Sequence, residues 1–242
     1  MTGIFQDRLP YDPQSQRPLP GIQPLGDAPW LTRDEAFAGQ MARRDQLLRD
    51  QRSDVLAMDE SARPAAEELL EIVLADQYPG AGDRVTRPDG VTVTIDRDDP
   101  MGTLGRLVQE DLCILDKRGD EHVLTAAVLC FPASWTLSEK FMRPLITIHI
   151  PVAPYDDALA RRVQRLFDGV QVGRPLWRFN LLNYADPELY QPLSEKAKRD
   201  HRREGPMPYI RSERQYLVRL PQTRAVVFAI HTFVLKKDDA QT

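Results

Sequence analysis

Gln215-Tyr216-Leu217-Val218-Arg219-Leu220, then Pro221-Gln222, then Thr223-Arg224-Ala225-Val226-Val227-Phe228-Ala229-Ile230-His231-Thr232-Phe233-Val234-Leu235 is the stretch that decides the fold. β-Branched and aromatic residues crowd both arms, and the proline between them cannot continue a ladder. Residues 215–220 and 223–235 therefore read as a closing hairpin with Pro221-Gln222 at the turn. Side chains alternate across a strand. In the second arm Val226, Phe228, Ile230 and Val234 take one face, and Val227, Ala229, His231, Phe233 and Leu235 the other. Both faces are apolar, so His231 is expected to lie buried among apolar neighbours.

Working back towards the N-terminus, Leu112 to Leu115 and His122 to Phe131 flank the turn signal Lys117-Arg118-Gly119-Asp120 and read as a second hairpin. Leu145 to Val152 reads as a strand, with Ile146, Ile148 and Ile150 on one face and Thr147 and His149 on the other. Asp156 to Phe167 reads as a helix and Leu176 to Leu182 as a strand, followed by a polar loop and helix over 185–205. Upstream the pattern is helical. Thr32 and Glu35 form a capping box opening a helix to about Arg52, and Pro64 suits the first turn of a helix from Arg63 to Tyr78. A short strand is expected at Val91 to Ile95 and a short helix at Met101 to Gln109. Residues 1–30 hold six prolines interleaved with apolar residues, which reads as an extended arm wrapped on the surface. About five antiparallel strands with flanking helices give an α+β class. Residues 1–110 form the arm and helical extension and residues 111–242 the core, together one continuous domain.

The chain has 242 residues and a formal net charge of −4. That size can bury a core without a disulfide or metal. The mildly acidic balance argues against a nucleic-acid partner. No apolar run approaches the ~18 residues of a membrane span, and the start, Met1 to Arg8, does not resemble a secretory signal. A cytoplasmic protein is expected. Cys113 and Cys130 lack metal-ligand spacing and fall out of register across the expected hairpin, which leaves two free thiols.

No Walker, dinucleotide-binding, nucleophile-elbow or H-E-x-x-H signature is present. His122, beside a charged turn, and His201, in a charge run, read as solvated. His149 precedes Pro151 at an expected strand end, where a cofactor ligand could sit. His149 and His231 each read equally as a core histidine held neutral by one hydrogen bond. Arg143, Arg174, Arg178, Arg211, Arg214 and Arg219 lie in or beside expected strands. They suit a cofactor with carboxylates, or they pair with surface acids such as Glu139, Asp168, Glu188 and Glu213.

Several ordered blocks then carry a resemblance: Cys130-Phe131-Pro132-Ala133-Ser134-Trp135, Ile148-His149-Ile150-Pro151-Val152-Ala153-Pro154-Tyr155, Gly173-Arg174-Pro175-Leu176-Trp177-Arg178-Phe179-Asn180, Arg211-Ser212-Glu213-Arg214-Gln215, and Arg219 to Phe233. Together they resemble the alpha subunit of the heme-dependent oxidative N-demethylases. The resemblance implies a PAS-like heme-binding core with a five-stranded sheet. It also implies oxidation of a secondary amine such as dimethylamine to a primary amine and formaldehyde. Electrons would come from NADPH through partner subunits carrying FMN and a 2Fe-2S cluster. Two cysteines cannot hold such a cluster here, so a reductase partner must be borrowed. On this reading His149 is the first choice for the axial ligand of heme b and His231 the second. Arg178, Arg211 and Arg214 would pair the heme propionates. Tyr155, Trp135 or Glu213 would touch the cationic amine. The rival from another class is a non-catalytic heme or small-ligand sensor or partner module, and the plainest rival is an oligomerisation module with an empty pocket.

Overall fold

A computed structural model describes residues 3–149, 157–197 and 205–237. In chain order its elements are β1 (Gln23–Pro24), α1 (Phe37–Asp50), α2 (Arg52–Val55), β2 (Leu56–Met58), α3 (Arg63–Gln77), β3 (Arg84–Thr86), β4 (Thr92–Thr94), α4 (Pro100–Gly105), β5 (Asp111–Arg118), β6 (Glu121–Val128), α5 (Leu137–Lys140), α6 (Leu145–His149), α7 (Asp157–Gly169), β7 (Leu176–Tyr184), β8 (Tyr209–Arg219) and β9 (Val226–Lys236). The class is α+β, as the patterning predicts.

The main sheet has seven strands in the order β1-β7-β8-β9-β5-β6-β2, and every neighbouring pair is antiparallel. Five of these strands are long, and each coincides with an expected one; the further strand expected at Leu145–Val152 is not among them. The two additional strands, β1 and β2, are three residues or shorter and close the two edges. Short edge strands leave little ladder exposed to pairing with other chains. β3 and β4 form a separate two-stranded sheet.

The register sorts the side chains into two layers. Leu112, Ile114, Ala126, Val128, Tyr216, Val227 and Ala229 belong to one cluster with the apolar faces of α1, α3 and α4. Cys113, Leu115, Ala127, Leu217, Val226 and Ile230 belong to a second cluster with Leu137 of α5, Leu145 of α6 and Phe167 of α7. The sheet is thus covered on both faces by helices of different origin.

Beyond Ile230 the edge of β9 has no strand partner, because β5 begins opposite that residue. Glutamine side chains fill the edge. Gln6 donates its backbone N–H to Val234 O and accepts from Val234 N–H through Oε1, while its Nε2 and that of Gln40 donate to Thr232 O. The proline-rich segment meets the other edge through β1, with Leu25 N–H bonding Pro175 O.

Several local expectations change. Leu145–His149 is helical rather than extended, and residues 150–156 lie outside the described residues. Pro144 presets a helical φ, and Ile148 N–H closes a turn onto Pro144 O at 3.0 Å. Leu145 and Ile148 can then pack together on the apolar cluster, which outweighs the strand preference of isoleucine. The capping box also fails. α1 starts after Ala36 without a side-chain cap. Thr32 turns to Glu110, and Glu35 accepts Asp7 N–H instead. No helix occurs over the described residues 185–197. The closing hairpin has a wider turn than expected, because Glu68 on α3 accepts the N–H groups of Gln222 (2.6 Å) and Thr223 (2.8 Å) and draws them from the ladder.

The base of β5 is fixed by an ion pair with no exposure on either side chain, Arg44–Asp111 at 2.6 Å. Asp111 also accepts the N–H groups of Cys130 (2.7 Å) and Phe131 (2.8 Å) as the chain leaves β6. Removing one member leaves the other buried and uncompensated, at a cost of about 3–5 kcal/mol. Asp111→Asn is therefore expected to lower the urea-unfolding free energy by that order. Adding Arg44→Met should recover much of it. A loss below ~1 kcal/mol would contradict a buried, tightly partnered Asp111.

Candidate functional site

Strands β7, β8 and β9 run in continuous register. Arg178 stands opposite Gln215, and Gln215 opposite Ile230; two residues further, Asn180 stands opposite Glu213, and Glu213 opposite Thr232. Residues directly opposite share a face. This face continues into the apolar rung Leu176, Leu217, Phe228 and Cys113, against which α5, α6 and α7 pack. Polar side chains thus line one end of an otherwise apolar layer.

Those polar side chains are incompletely satisfied. Arg178 Nε is buried with no acceptor, and Arg178 makes no ion pair among the described residues. Burial pulls its guanidinium below its usual range, opposed by the charge of Glu213. Thr232 is 1% exposed and its Oγ1 has no partner. Glu213 is 5% exposed, and its Oε2 accepts from Asn180 Nδ2 (3.1 Å) and Gln215 Nε2 (2.8 Å). Native interiors satisfy nearly all buried polar groups, so the two unpartnered atoms on adjacent rungs of one face, Arg178 Nε and Thr232 Oγ1, mark the candidate site. A half-buried guanidinium without an anion suits an incoming carboxylate.

Cys113 lies on the same face. Burial raises its thiol far above the ordinary range, with the charges of Asp111 and Glu213 adding to the effect. It stays protonated and is unsuited to metal ligation at neutral pH.

The opposite face tells a different story. Trp177, Phe179, Arg214, Tyr216 and His231 fall there by register. Tyr11 from the N-terminal segment stacks on Phe179 at 4.3 Å and bonds Ser212 Oγ at 2.7 Å, which closes this face. The Arg214 guanidinium lies over the rings of Trp177 (4.7 Å) and Tyr216 (5.3 Å). His231 has no exposed side-chain surface and is held between two carboxylates. Its Nε2–H donates to Asp34 Oδ2 (3.0 Å) and its Nδ1–H to Glu110 Oε1 (2.9 Å). Burial opposes the charge, but the hydrogen bonds to Asp34 and Glu110 outweigh it and push the imidazole up to about 9. With both nitrogens donating, His231 has no lone pair to offer a metal in this arrangement.

The expected site residues are therefore divided by the sheet. Arg178 and Glu213 share the under-bonded face, and Trp135 packs against the apolar cluster on that side. Arg214 and His231 lie behind it. Arg211 is buried, and its terminal nitrogens are spent on the backbone oxygens of Phe131 (2.7 Å) and Leu189 (3.0 Å). His149 closes α6, with its side chain outside the described part; Tyr155 and His201 lie outside the described residues. His122, expected to be solvated, is fully buried under α7. Gln164 donates Nε2–H to its Nδ1 at 2.9 Å while accepting its backbone N–H, so the ring proton sits on Nε2. Burial lowers its pKa and keeps the ring neutral. The residues missed from the sequence are Asn180, Gln215 and Thr232. Reading the strand alternation across the pairing of β7, β8 and β9 is the signal that finds them.

A family model described as haem-dependent oxidative N-demethylase, alpha subunit-like, matches residues 21–241. The chain belongs to this family. The description is that of one subunit of a multi-subunit assembly and names a heme dependence. Among the described residues no helix is long and apolar enough to cross a membrane.

The His231 arrangement has a measurable consequence. Its pKa is 6.5 for the free side chain and about 9 in the fold. A raised value means that the folded state holds the proton more tightly. The stabilisation is then complete below about 6.5 and is lost as pH rises through about 9. Urea midpoints measured across that interval are expected to fall for the wild type. In His231→Gln, which keeps a donor but not the charge, the midpoint should be lower and nearly level. An equally steep wild-type slope in the variant would place the titrating group elsewhere.

Proposed function

We propose that this chain is the heme-binding subunit of an oxidative N-demethylase acting on a small secondary amine of the dimethylamine kind, with electrons supplied by a reductase partner. The observation that carries the reading is the half-buried Arg178, with its Nε sealed and without an acceptor and no carboxylate paired to it among the described residues, on the largely apolar face of β7–β9, in a chain of this family.

The residues present fit heme b. A porphyrin needs an apolar slot, a cation for its propionates and one iron ligand. Leu176, Leu217, Phe228 and Ile230 supply apolar lining on the same face as Arg178. Of the three arginines expected to pair propionates, Arg211 is engaged by backbone carbonyls and Arg214 lies on the other face, so Arg178 takes that role. His149 is the iron ligand in this reading, because α6 packs on the same apolar cluster and His231 is fully hydrogen-bonded. The five long strands with helices packed across them agree with a PAS-like core.

Heme, when bound, supplies the redox chemistry that couples dioxygen to oxidation of an N-methyl group. For dimethylamine the balance is (CH3)2NH + O2 + 2 e− + 2 H+ → CH3NH2 + CH2O + H2O. The chain's own share is binding and exclusion. Arg178 orients the cofactor by its carboxylate, and the apolar cluster under α5–α7 keeps water from the reacting methyl group. The electrons come from a partner carrying FMN and a 2Fe-2S cluster and oxidising NADPH.

Heme titration of the purified chain tests this reading. A stoichiometric Soret band is expected, lost or displaced in His149→Ala and retained in His231→Gln. Arg178→Ala should weaken heme affinity by about tenfold or more, the scale of one charge-assisted hydrogen bond. Arg214→Ala, on the far face, should leave it unchanged. With a reductase and dimethylamine, formaldehyde should form. A folded wild-type chain that takes up no heme would sink the assignment.

A further inference from the structure

The two sides of α7 meet different things. Val163, Leu166 and Phe167 pack on the apolar cluster of the sheet face that carries Arg178. Arg161, Arg162 and Arg165 stand on the outer side and are exposed. Arg161 and Arg165 are one turn apart, so their side chains are neighbours on the helix surface. None of the three makes an ion pair among the described residues. Asp168, near the end of the helix, is answered by Lys117 instead. The helix is held firmly on the sheet. Gln164 bonds His122 Nδ1 at 2.9 Å, and Arg219 donates to the carbonyl oxygens of Phe167 (2.5 Å) and Val170 (3.0 Å).

Like charges one turn apart oppose the stability of their own helix, and these stand in a chain whose net charge is −4. The ridge thus differs in sign from the molecule as a whole, which orients an approaching partner of opposite charge. Guanidinium groups suit the carboxylates of such a partner, which they can grip in pairs. The position of the ridge indicates what the partner does. An α-helix with its side chains is about 10–12 Å across. The arginines are therefore one helix thickness from the apolar layer in which the proposed heme slot lies. The apolar side of α7 is already spent on that layer, so the helix cannot enter a lipid surface by it.

From this we infer that the ridge of Arg161, Arg162 and Arg165 is the docking surface for an acidic electron-carrying protein, which delivers electrons across α7 to the layer beneath. The inference rests on the demethylase reading and adds where its reductase partner binds and what charge that partner presents. The family description, of an alpha subunit, supplies the expectation of a partner; the charge and position of the ridge supply its chemistry. The carrier gives up one electron per encounter, so its cluster is oxidised, the heme iron is reduced by one electron, and no bond forms or breaks. Charges at the rim of an interface act mainly on the association rate, so electron delivery should depend steeply on salt.

The test uses the full chain loaded with heme and, as the probe, a reduced plant-type 2Fe-2S ferredoxin, an acidic carrier. Reduction is followed by the Soret shift in stopped flow at about 10 mM and about 150 mM salt, between which the screening length falls from ~30 to ~8 Å. Wild type is expected to be reduced much faster at low salt. The triple variant Arg161→Glu, Arg162→Glu, Arg165→Glu should be slower there by about 10–100-fold and should lose the salt dependence. Dithionite, which needs no docking surface, should reduce both chains at similar rates. The triple Arg8→Glu, Arg17→Glu, Arg49→Glu makes the same change in net charge at exposed positions away from α7 and should stay close to wild type. Arg161→Glu alone sets opposite charges one turn apart with Arg165. It should raise the urea midpoint slightly while slowing reduction, a split that a purely structural ridge would not show. Unchanged reduction in the ridge triple, an equal loss in the other triple, or no salt dependence in wild type would overturn the inference. So would ridge-dependent binding to phosphatidylserine vesicles with ferredoxin reduction unaffected. Failure of heme uptake would instead remove the demethylase reading. Isothermal titration of ferredoxin into the heme-free chain then decides the docking surface: salt-sensitive binding lost in the ridge triple supports it, and binding absent or equal in both chains overturns it.

Discussion

The imidazolium of His231, fully buried between Asp34 and Glu110, ties together parts of the chain that are far apart in sequence. Asp34 comes from the segment before α1, Glu110 from the residue before β5, and His231 from β9 at the centre of the sheet. The joint is dense: Asp34 also accepts from Gln6 and Gln109, and Glu110 accepts Thr32 N–H. Burial would raise the Asp34 carboxyl, but its bond to His231 and that side chain's charge hold it below its ordinary value. A buried charge with two counter-charges and satisfied donors is tolerable; the same charge with one partner missing is not. This proton therefore adds to the contacts of Gln6, Tyr11 and β1 that hold the N-terminal segment on the sheet.

That joint also determines which face of the sheet is left for chemistry. On its side the polar groups mostly find partners within the chain, and aromatic rings cover Arg214. On the other side the alternation of β8 places Glu213 and Gln215 beside Arg178, where bonds are missing. Both faces keep sealed, unpartnered atoms, Arg214 Nε and Tyr216 Oη on the His231 side and Arg178 Nε and Thr232 Oγ1 on the other; what differs is that aromatic rings cover the cation on the His231 side only. Sequences are locally consistent except where function demands otherwise, which favours, for the proposed ligand chemistry, the face whose guanidinium no ring covers.

Much of this was legible in the sequence and some was not, for physical reasons. The five long strands were visible because apolar alternation is a direct image of a half-buried pleat. The start of β8 was less visible, because Arg211, Ser212, Glu213 and Arg214 look like a surface run until their partners in β7 and β9 are known. Period alone misread Leu145–His149, since a five-residue apolar run fits either geometry and Pro144 decided it. Thr32 looked like a helix cap because its spacing to Glu35 was right, but the competing acceptor was Glu110, 78 residues away. Composition and spacing made Arg178, Arg211 and Arg214 equivalent. Only pairing register separates a guanidinium on the candidate-site face from one stacked behind it and one spent on backbone carbonyls.

The helix in place of an expected strand at Leu145–His149 changes the logic of the site. A strand would have set His149 in the sheet itself, among the arginines. As the end of α6, His149 belongs to the layer that faces the sheet. Under the proposed function the iron ligand and the cofactor-binding Arg178 would then come from opposing layers, one helical and one stranded. Each can be altered without dismantling the other, because α6 meets the sheet through Leu145 and Ile148 while Glu213 is held by Asn180 and Gln215 within it. Under the proposed function, a scaffold divided in this way would keep its cofactor while the stranded wall changes which amine it accepts.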